Sequence, residues 1–164
     1  MIEWEWASFG QLDTHKLYRI LQLRSEVFVV EQNCVYQDID GLDPGSFHLL
    51  GWQHGQPGQG QHGQDRQLVA YLRCLPKGLK FAEASLGRVI TCGTVRGSGA
   101  GRALLAEALA RMESEWGGQV IRIAAQLYLQ KFYEAFGFVA CSAPFDEDGI
   151  PHIDMLRQPS LLQP

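Results

Sequence analysis

The sequence predicts a mixed α/β fold, and three observations carry that expectation. Short runs of strand composition recur along the 164 residues. Between some of them lie longer stretches with helical spacing. In the segment VITCGTVRGSGAGRALL, from Val89 to Leu105, a β-branched run, a glycine loop and a helix-forming run follow one another directly. A helical crossover of this kind demands two parallel, neighbouring strands, whereas the shorter connections in mid-chain demand antiparallel hairpins.

The first strand is expected at Ile2 to Trp6, where apolar and acidic residues alternate. Asp13 or Thr14 caps the next helix, whose apolar face carries Leu17, Ile20, Leu21, Val27 and Phe28. Val30 to Gly45 breaks that period, is acidic and ends in turn formers, so it reads as a loop. Strands follow at Phe47 to Trp52, Leu68 to Leu75 and Leu86 to Cys92. Between the first two, residues 54–67 are nearly all Gly, Gln and His. Such a stretch cannot bury apolar surface, which makes it a flexible Gly/Gln-rich hairpin loop inside a domain.

A helix from Gly99 to about Trp116 places Leu104, Leu105, Ala108, Leu109, Met112 and Trp116 on one side. Gly117 and Gly118 stop it. Val120 to Ala125 is apolar enough for a central strand. A short helix runs from Leu127 to Gly137, and Phe138 to Cys141 and His152 to Leu156 are the last strands. Residues 1–158 are expected to form a single domain and 159–164 a tail.

Composition narrows the function classes. Hydrophobic residues at 46% and charged residues at 20% describe a water-soluble globule. A net charge of −4 gives no electrostatic reason to expect nucleic acid. No apolar run reaches the roughly 20 residues of a membrane span. The opening MIEWEWASFG is acidic where a signal peptide is basic, so the cytoplasm is the expected compartment. Four cysteines and five histidines stand scattered without metal-ligand spacing, so reduced thiols and no metal are expected.

The glycine loop has a chemistry of its own. A strand, a glycine turn and a helix N-terminus together present main-chain N–H groups to an anion, at the positive end of the helix dipole. Common nucleotide loops do not fit, because Arg102 and Leu104 stand where a dinucleotide fingerprint needs glycine.

Arg96-Gly97-Ser98-Gly99-Ala100-Gly101 resembles the coenzyme A loop, Gln/Arg-x-x-Gly-x-Gly/Ala, of the GNAT N-acetyltransferase superfamily. QLYLQKFYEAFGF, from Gln126 to Phe138, is similar to that family's Asn-x-x-Ala-x-x-x-Tyr-x-x-x-Gly-Phe segment, with Gln126 and Leu129 in place of Asn and Ala. LRSEVFVVEQ from Leu23, YQDIDG from Tyr36 and DGIPHI from Asp148 resemble the ElaA-type acetyltransferases.

The resemblance implies a GNAT fold: a mixed, mostly antiparallel sheet with a splayed parallel pair, flanked by helices. It implies acetyl-CoA as co-substrate, an amine acceptor (a small molecule or a protein amine) and, in many members, a homodimer. The pyrophosphate falls to Arg96, Gly97, Ser98, Gly99, Ala100, Gly101 and Arg102. The pantetheine arm falls to the main chain of Val89, Ile90 and Thr91, with Gln126 across the gap. Tyr133 is the implied general acid for the departing thiolate, since a phenol stays protonated at neutral pH. His152, Glu31, Asp40 and His48 are candidate bases for the amine. The acidic run from Glu31 to Asp43 either draws a cationic substrate or is a solvated loop.

Three alternatives remain at this point. Cys92 beside the site raises an acyl-cysteine route. LRSEVFVVEQ also resembles acyl-homoserine lactone synthases. A non-catalytic acyl-CoA-binding module is the third.

Overall fold

A computed structural model describes residues 1–55 and 66–159. Strand β1 (Glu3–Ser8) leads through a 3-10 turn to α1 (Thr14–Arg24), which Asp13 caps by accepting a hydrogen bond from the Lys16 amide at 2.8 Å. The helix does not stay regular to Phe28: Ser25–Glu31 widens into a π-helical segment. Val27, Val29 and Val30 in it are β-branched, a residue class with stiff side chains and modest helix propensity.

Strands β2 (Phe47–His54), β3 (Arg66–Leu75) and β4 (Ser85–Thr91) complete an antiparallel sheet in the order β1-β2-β3-β4. The expected loop at 54–67 is shorter than the composition implied. His54 still belongs to β2, Arg66 and Gln67 belong to β3, and the remaining stretch lies mostly outside the described residues. Arg66 pairs with Glu3 at 2.9 Å and covers the Trp52 ring, which extends the hairpin.

Helix α2 (Ala100–Trp116) ends at Gly117, whose φ of +73° is the left-handed stop. Strand β5 (Ile121–Gln126) and the short helix α3 (Gln130–Glu134) follow. Then come β6 (Phe138–Ala140), β7 (Phe145–Glu147) and β8 (Ile150–Arg157). The sequence reading contained no β7. Its signal was present: Asp148-Gly149 is a two-residue hairpin turn, with φ of +53° and +80°.

The two ends of the sheet meet at one point. Ala84 and Ile121 form a single parallel bridge, and the Arg122 amide donates to the Ala84 carbonyl at 2.9 Å. Beyond it no ladder joins β4 to β5 among the described residues. The expected parallel pair is thus neighbouring at its start and splayed after it.

Helices cover opposite faces. On one, α2 buries Leu104, Leu105, Ala108 and Met112 against Leu49, Leu72, Leu86, Ile123 and Met155. On the other, α1 buries Ile20 and Leu23 against Leu50, Trp52, Tyr71 and Ile90.

The acidic segment is a loop that keeps Glu31, Gln37, Ile39 and Gly41 exposed to solvent, as one of the two expectations had it, but its aspartates are not free. It folds over two buried arginines on the α1 face. Arg24 is fully buried and reaches Asp43 at 2.7 Å and Asp38 at 2.9 Å. Arg73, 2% exposed, holds Asp40 with both terminal nitrogens and Asp43 with one, at 2.7 to 2.9 Å. Charges in such a place persist only when compensated. Burial alone would raise the Asp40 and Asp43 carboxyls, but bonds from Arg73 and Arg24 outweigh it and hold both below the usual carboxylate range. Asp43→Ala leaves two guanidiniums short of a partner, so urea unfolding should show a loss of about 3–5 kcal/mol.

His48 sits in the same interior, fully buried, with Nδ1 at 2.8 Å from the Tyr71 hydroxyl and Nε2 at 3.1 Å from the Asp43 carbonyl. Burial lowers its pKa. The unfolded chain therefore takes up the proton more readily, and stability falls as pH drops below the unfolded value of about 6.5, by up to about 1.4 kcal/mol per pH unit. Urea midpoints at about pH 7.5 and 5.5 check this. The wild type should lose more than His48→Gln over that interval, and equal losses contradict it.

Candidate active site

Main-chain alternation on β4 decides which groups face the gap toward β5. The Cys92 amide donates to the Val69 carbonyl at 2.8 Å, so Ile90, two residues back, also turns its main chain to β3, opposite Tyr71. Val89 and Thr91 then turn theirs to the β5 side. There the Thr91 carbonyl accepts from Arg96 Nε at 2.9 Å. The expectation for this strand is corrected at one residue. Val89 and Thr91 present main chain to the gap, whereas Ile90 bonds within the sheet and is 2% exposed beneath α1.

The glycine loop has the conformation its residues were chosen for. Gly97 and Gly99 have φ of +79° and +89°, a region side chains rarely occupy. The Ser98 hydroxyl donates back to the Val95 carbonyl at 2.7 Å, which closes the turn. The first helical bond of α2 runs from the Ala103 amide to the Gly99 carbonyl at 3.1 Å. The amides of Ala100, Gly101 and Arg102 precede it and are the helix's unsatisfied donors. This is a fit for a diphosphate: several N–H groups at the positive end of a long helix, with no side chain at the two left-handed positions. Arg102 lies with its guanidinium 5.6 Å over the Phe136 ring. Arg96 is paired with Glu31 at 2.8 Å.

Tyr133, on α3, approaches from the α2 face. It is 5% exposed and packs edge-on against Phe132 and Phe138. Burial pushes its pKa above the ordinary phenol value. Its hydroxyl makes no hydrogen bond among the described residues.

His152 lies on the opposite face. Ile153 and Met155 of β8 point to α2, so His152 and Asp154 point away, with Arg122, Ala124 and Gln126 of β5. His152 Nδ1 sits 2.7 Å from the Ile150 carbonyl, which requires the proton on that nitrogen. Nε2 faces Glu147 at 3.4 Å, and the ring stacks on Phe145. Gln126 donates to Gln32 at 3.2 Å, so the loop after α1 reaches the open end of β5. Cys34 donates to the Asp148 carbonyl at 3.4 Å, joining that loop to the β7–β8 turn.

The four candidate bases separate by environment. His48 and Asp40 are absorbed by the buried ion cluster. Both ring nitrogens of His48 are occupied, and a carboxylate held well below its usual range is a weak proton acceptor. Glu31 is engaged by Arg96. His152 has Nε2 at 3.4 Å from Glu147, on the face of the sheet that also carries Gln126. Cys92 contacts Thr94 Oγ1 at 2.9 Å, and no histidine contacts it among the described residues. Also among the described residues, no group of three or more His, Cys, Asp or Glu could hold a metal ion. None of their helices is long and apolar enough to cross a membrane.

Sequence reasoning missed Gln32, Phe145, Glu147 and Arg88. Gln32 reaches β5 through the loop after α1, and Phe145 and Glu147 reach His152 and its neighbours through the β7–β8 hairpin. Arg88 carries a local signal that is visible only in the backbone: its φ is +51°.

Comparison with known proteins gives a consistent result. A family model described as an acetyltransferase (GNAT) domain matches residues 62–158. Protein ElaA of Escherichia coli is 40% identical over 96% of this chain and 97% of its own. Its crystal structure superposes with a TM-score of 0.84, covering 96% of this chain and all of that one. A UPF0039 protein of Synechocystis is 40% identical over 94% of each chain. An acyl-CoA N-acyltransferase from Pseudomonas aeruginosa, 38% identical, has a TM-score of 0.83 and covers 96% of this chain and 99% of that one.

Proposed function

This chain belongs to the GNAT acetyltransferase family and is an acyltransferase, and we propose that it moves an acetyl group from acetyl-CoA to a primary amine by direct attack in a ternary complex. Residues 1–158 form the acetyltransferase domain in this reading. The observation that carries it is a β4 edge with no strand laddered to it beyond Ala84 among the described residues, leading straight into a left-handed glycine loop and a helix N-terminus.

The loop from Arg96 to Arg102 holds the diphosphate through main-chain N–H groups. The pantetheine arm pairs with Val89 and Thr91 much as an added strand would, with Gln126 across the gap. The Val89 amide polarises the thioester carbonyl and stabilises the charge that develops there. The amine nitrogen bonds to the carbonyl carbon, and the C–S bond breaks. Tyr133 gives its proton to the departing thiolate, and burial keeps that phenol protonated until then. His152 Nε2 takes the proton that the amine must lose. Donor and acceptor approach from opposite faces, because Tyr133 packs on the α2 side and His152 stands on the other. Four free cysteines suit a reducing compartment, the cytoplasm.

Acetyl-CoA at about 100 times its Kd should stabilise the fold by about 2.7 kcal/mol, measured as a rise in Tm. Gly99→Val should remove that rise while the apo protein stays folded, since a β-branched residue resists the φ of +89°. Tyr133→Phe should keep the rise and slow transfer over an amine panel by about 10²–10⁴-fold. Full activity in Tyr133→Phe would end its role as acid, and no acetyl-CoA binding by the wild type would end the whole reading.

A further inference from the structure

We propose that Arg88 is a positioning residue that fixes the main-chain edge of β4 by holding a one-residue bulge in place. The proposal rests on the acyltransferase reading above, and it concerns what turns Val89 toward the gap.

The register between β3 and β4 shows the extra residue. Leu75 pairs with Ser85, Cys74 with Leu86 and Arg73 with Gly87. The next pairs are Tyr71 with Ile90 and Ala70 with Thr91. Two steps along β3 are thus matched by three along β4, the definition of a bulge. Continued without it, the first register would set Val89 opposite Tyr71. Its amide would then face β3, and the gap would be lined by residues 88 and 90 instead. Side chains record the same swap. Leu86 packs under α2, yet Ile90, an even number of residues later, packs under α1. Val89 and Thr91 take the α2 face, where a Cβ on Gly101 would meet Thr91 Cγ2 at 4.0 Å.

The bulge puts a non-glycine residue in the left-handed region, with φ of +51° at Arg88. Gly87 stands beside it and does not take that conformation. A position that needed only conformational freedom would place the glycine there. The strain falls instead on the residue whose side chain is tied down on the α1 face. Arg88 Nε lies 2.8 Å from Asp38 Oδ1, and Nη2 donates to the Asp38 carbonyl at 3.1 Å. The guanidinium sits 5.8 Å from the Phe28 ring and 5.6 Å from that of Tyr36, whose hydroxyl donates to the same Asp38 carboxylate at 2.9 Å. Asp38 in turn is held by the fully buried Arg24. Backbone strain of this kind persists only where surrounding contacts over-determine it, and here the contacts come from the loop after α1. The loop that reaches Gln126 at the open end of β5 thereby sets the strand that receives the thioester.

Two substitutions separate this role from a purely structural one. Arg88→Ala and Arg88→Gly both remove the guanidinium, but only glycine adopts a positive φ freely. Arg88→Ala should lower kcat for the best amine of a panel by about a hundredfold and also raise KM for acetyl-CoA, because the main chain of Val89 and Thr91 that receives the arm is displaced even though the diphosphate loop is untouched. Arg88→Gly should recover at least about tenfold of that loss. Equal kcat in the two variants, or wild-type kcat in Arg88→Ala, overturns the proposal. If Arg88→Ala does not fold, Asp38→Asn decides: a fall in kcat supports the proposal, and an unchanged kcat overturns it. Amide hydrogen exchange gives a readout that needs no turnover. Ile90 should be protected in the wild type and lose that protection in Arg88→Ala or, failing that, in Asp38→Asn. An identical exchange pattern overturns the proposal. A wild type that shows the expected exchange but transfers to no amine defeats the functional reading alone.

Discussion

Main-chain amides and carbonyls inside a sheet must find partners, and in this protein one edge of β4 has no strand laddered to it beyond its start among the described residues, with Arg96 reaching the Thr91 carbonyl there. The strand is bonded to β3 along one edge. Along the other, among the described residues, it is bridged to β5 at Ala84 and Ile121 and not beyond. An interior edge left open in this way is costly unless water or a ligand with its own amide groups completes it. Everything else in the site is arranged around that opening. A glycine turn follows it immediately, the N-terminus of α2 lies just beyond, and Tyr133 and Gln126 come from elements on the far side of the gap.

The two faces of the sheet divide the work. On one face α2 and α3 pack an apolar core that raises the Tyr133 pKa and, among the described residues, gives its hydroxyl no partner. On the other face the loop after α1 carries Asp38, Asp40 and Asp43 over Arg24, Arg73 and Arg88. Three carboxylates and three guanidiniums balance, so the segment has little charge left to attract a cation. Buried ion pairs add little net stability against apolar packing, but their removal one partner at a time is severe. They fix the loop in one place. That place brings Gln32 to Gln126 and Cys34 to the β7–β8 turn, beside His152.

Much of the fold was legible in the sequence because its signals are local. Asp13 capped α1, Gly117 stopped α2, and of the apolar face its spacing indicated, Leu104, Leu105, Ala108 and Met112 are buried and Leu109 and Trp116 partly so. The loop motif of Gly97 and Gly99 was readable for the same reason: positive φ is a local demand that glycine meets. What was not legible depends on long-range register or compensation. No pattern in residues 31–43 reveals that their partners, Arg24, Arg73 and Arg88, come from a helix and two strands. The edge swap at Val89 and Ile90 follows from one inserted residue, which shifts every later residue by one face. The β7 strand was missed although Asp148-Gly149 announced its turn, because three exposed residues carry no apolar run.

The most direct measurement is a crystal structure of the protein with coenzyme A. The account predicts the diphosphate on the amides of Gly97 to Arg102, the arm alongside Val89 and Thr91 in the gap before β5, and the sulfur beside the Tyr133 hydroxyl. Coenzyme A bound on another face, or in the gap with its sulfur far from Tyr133, would contradict it.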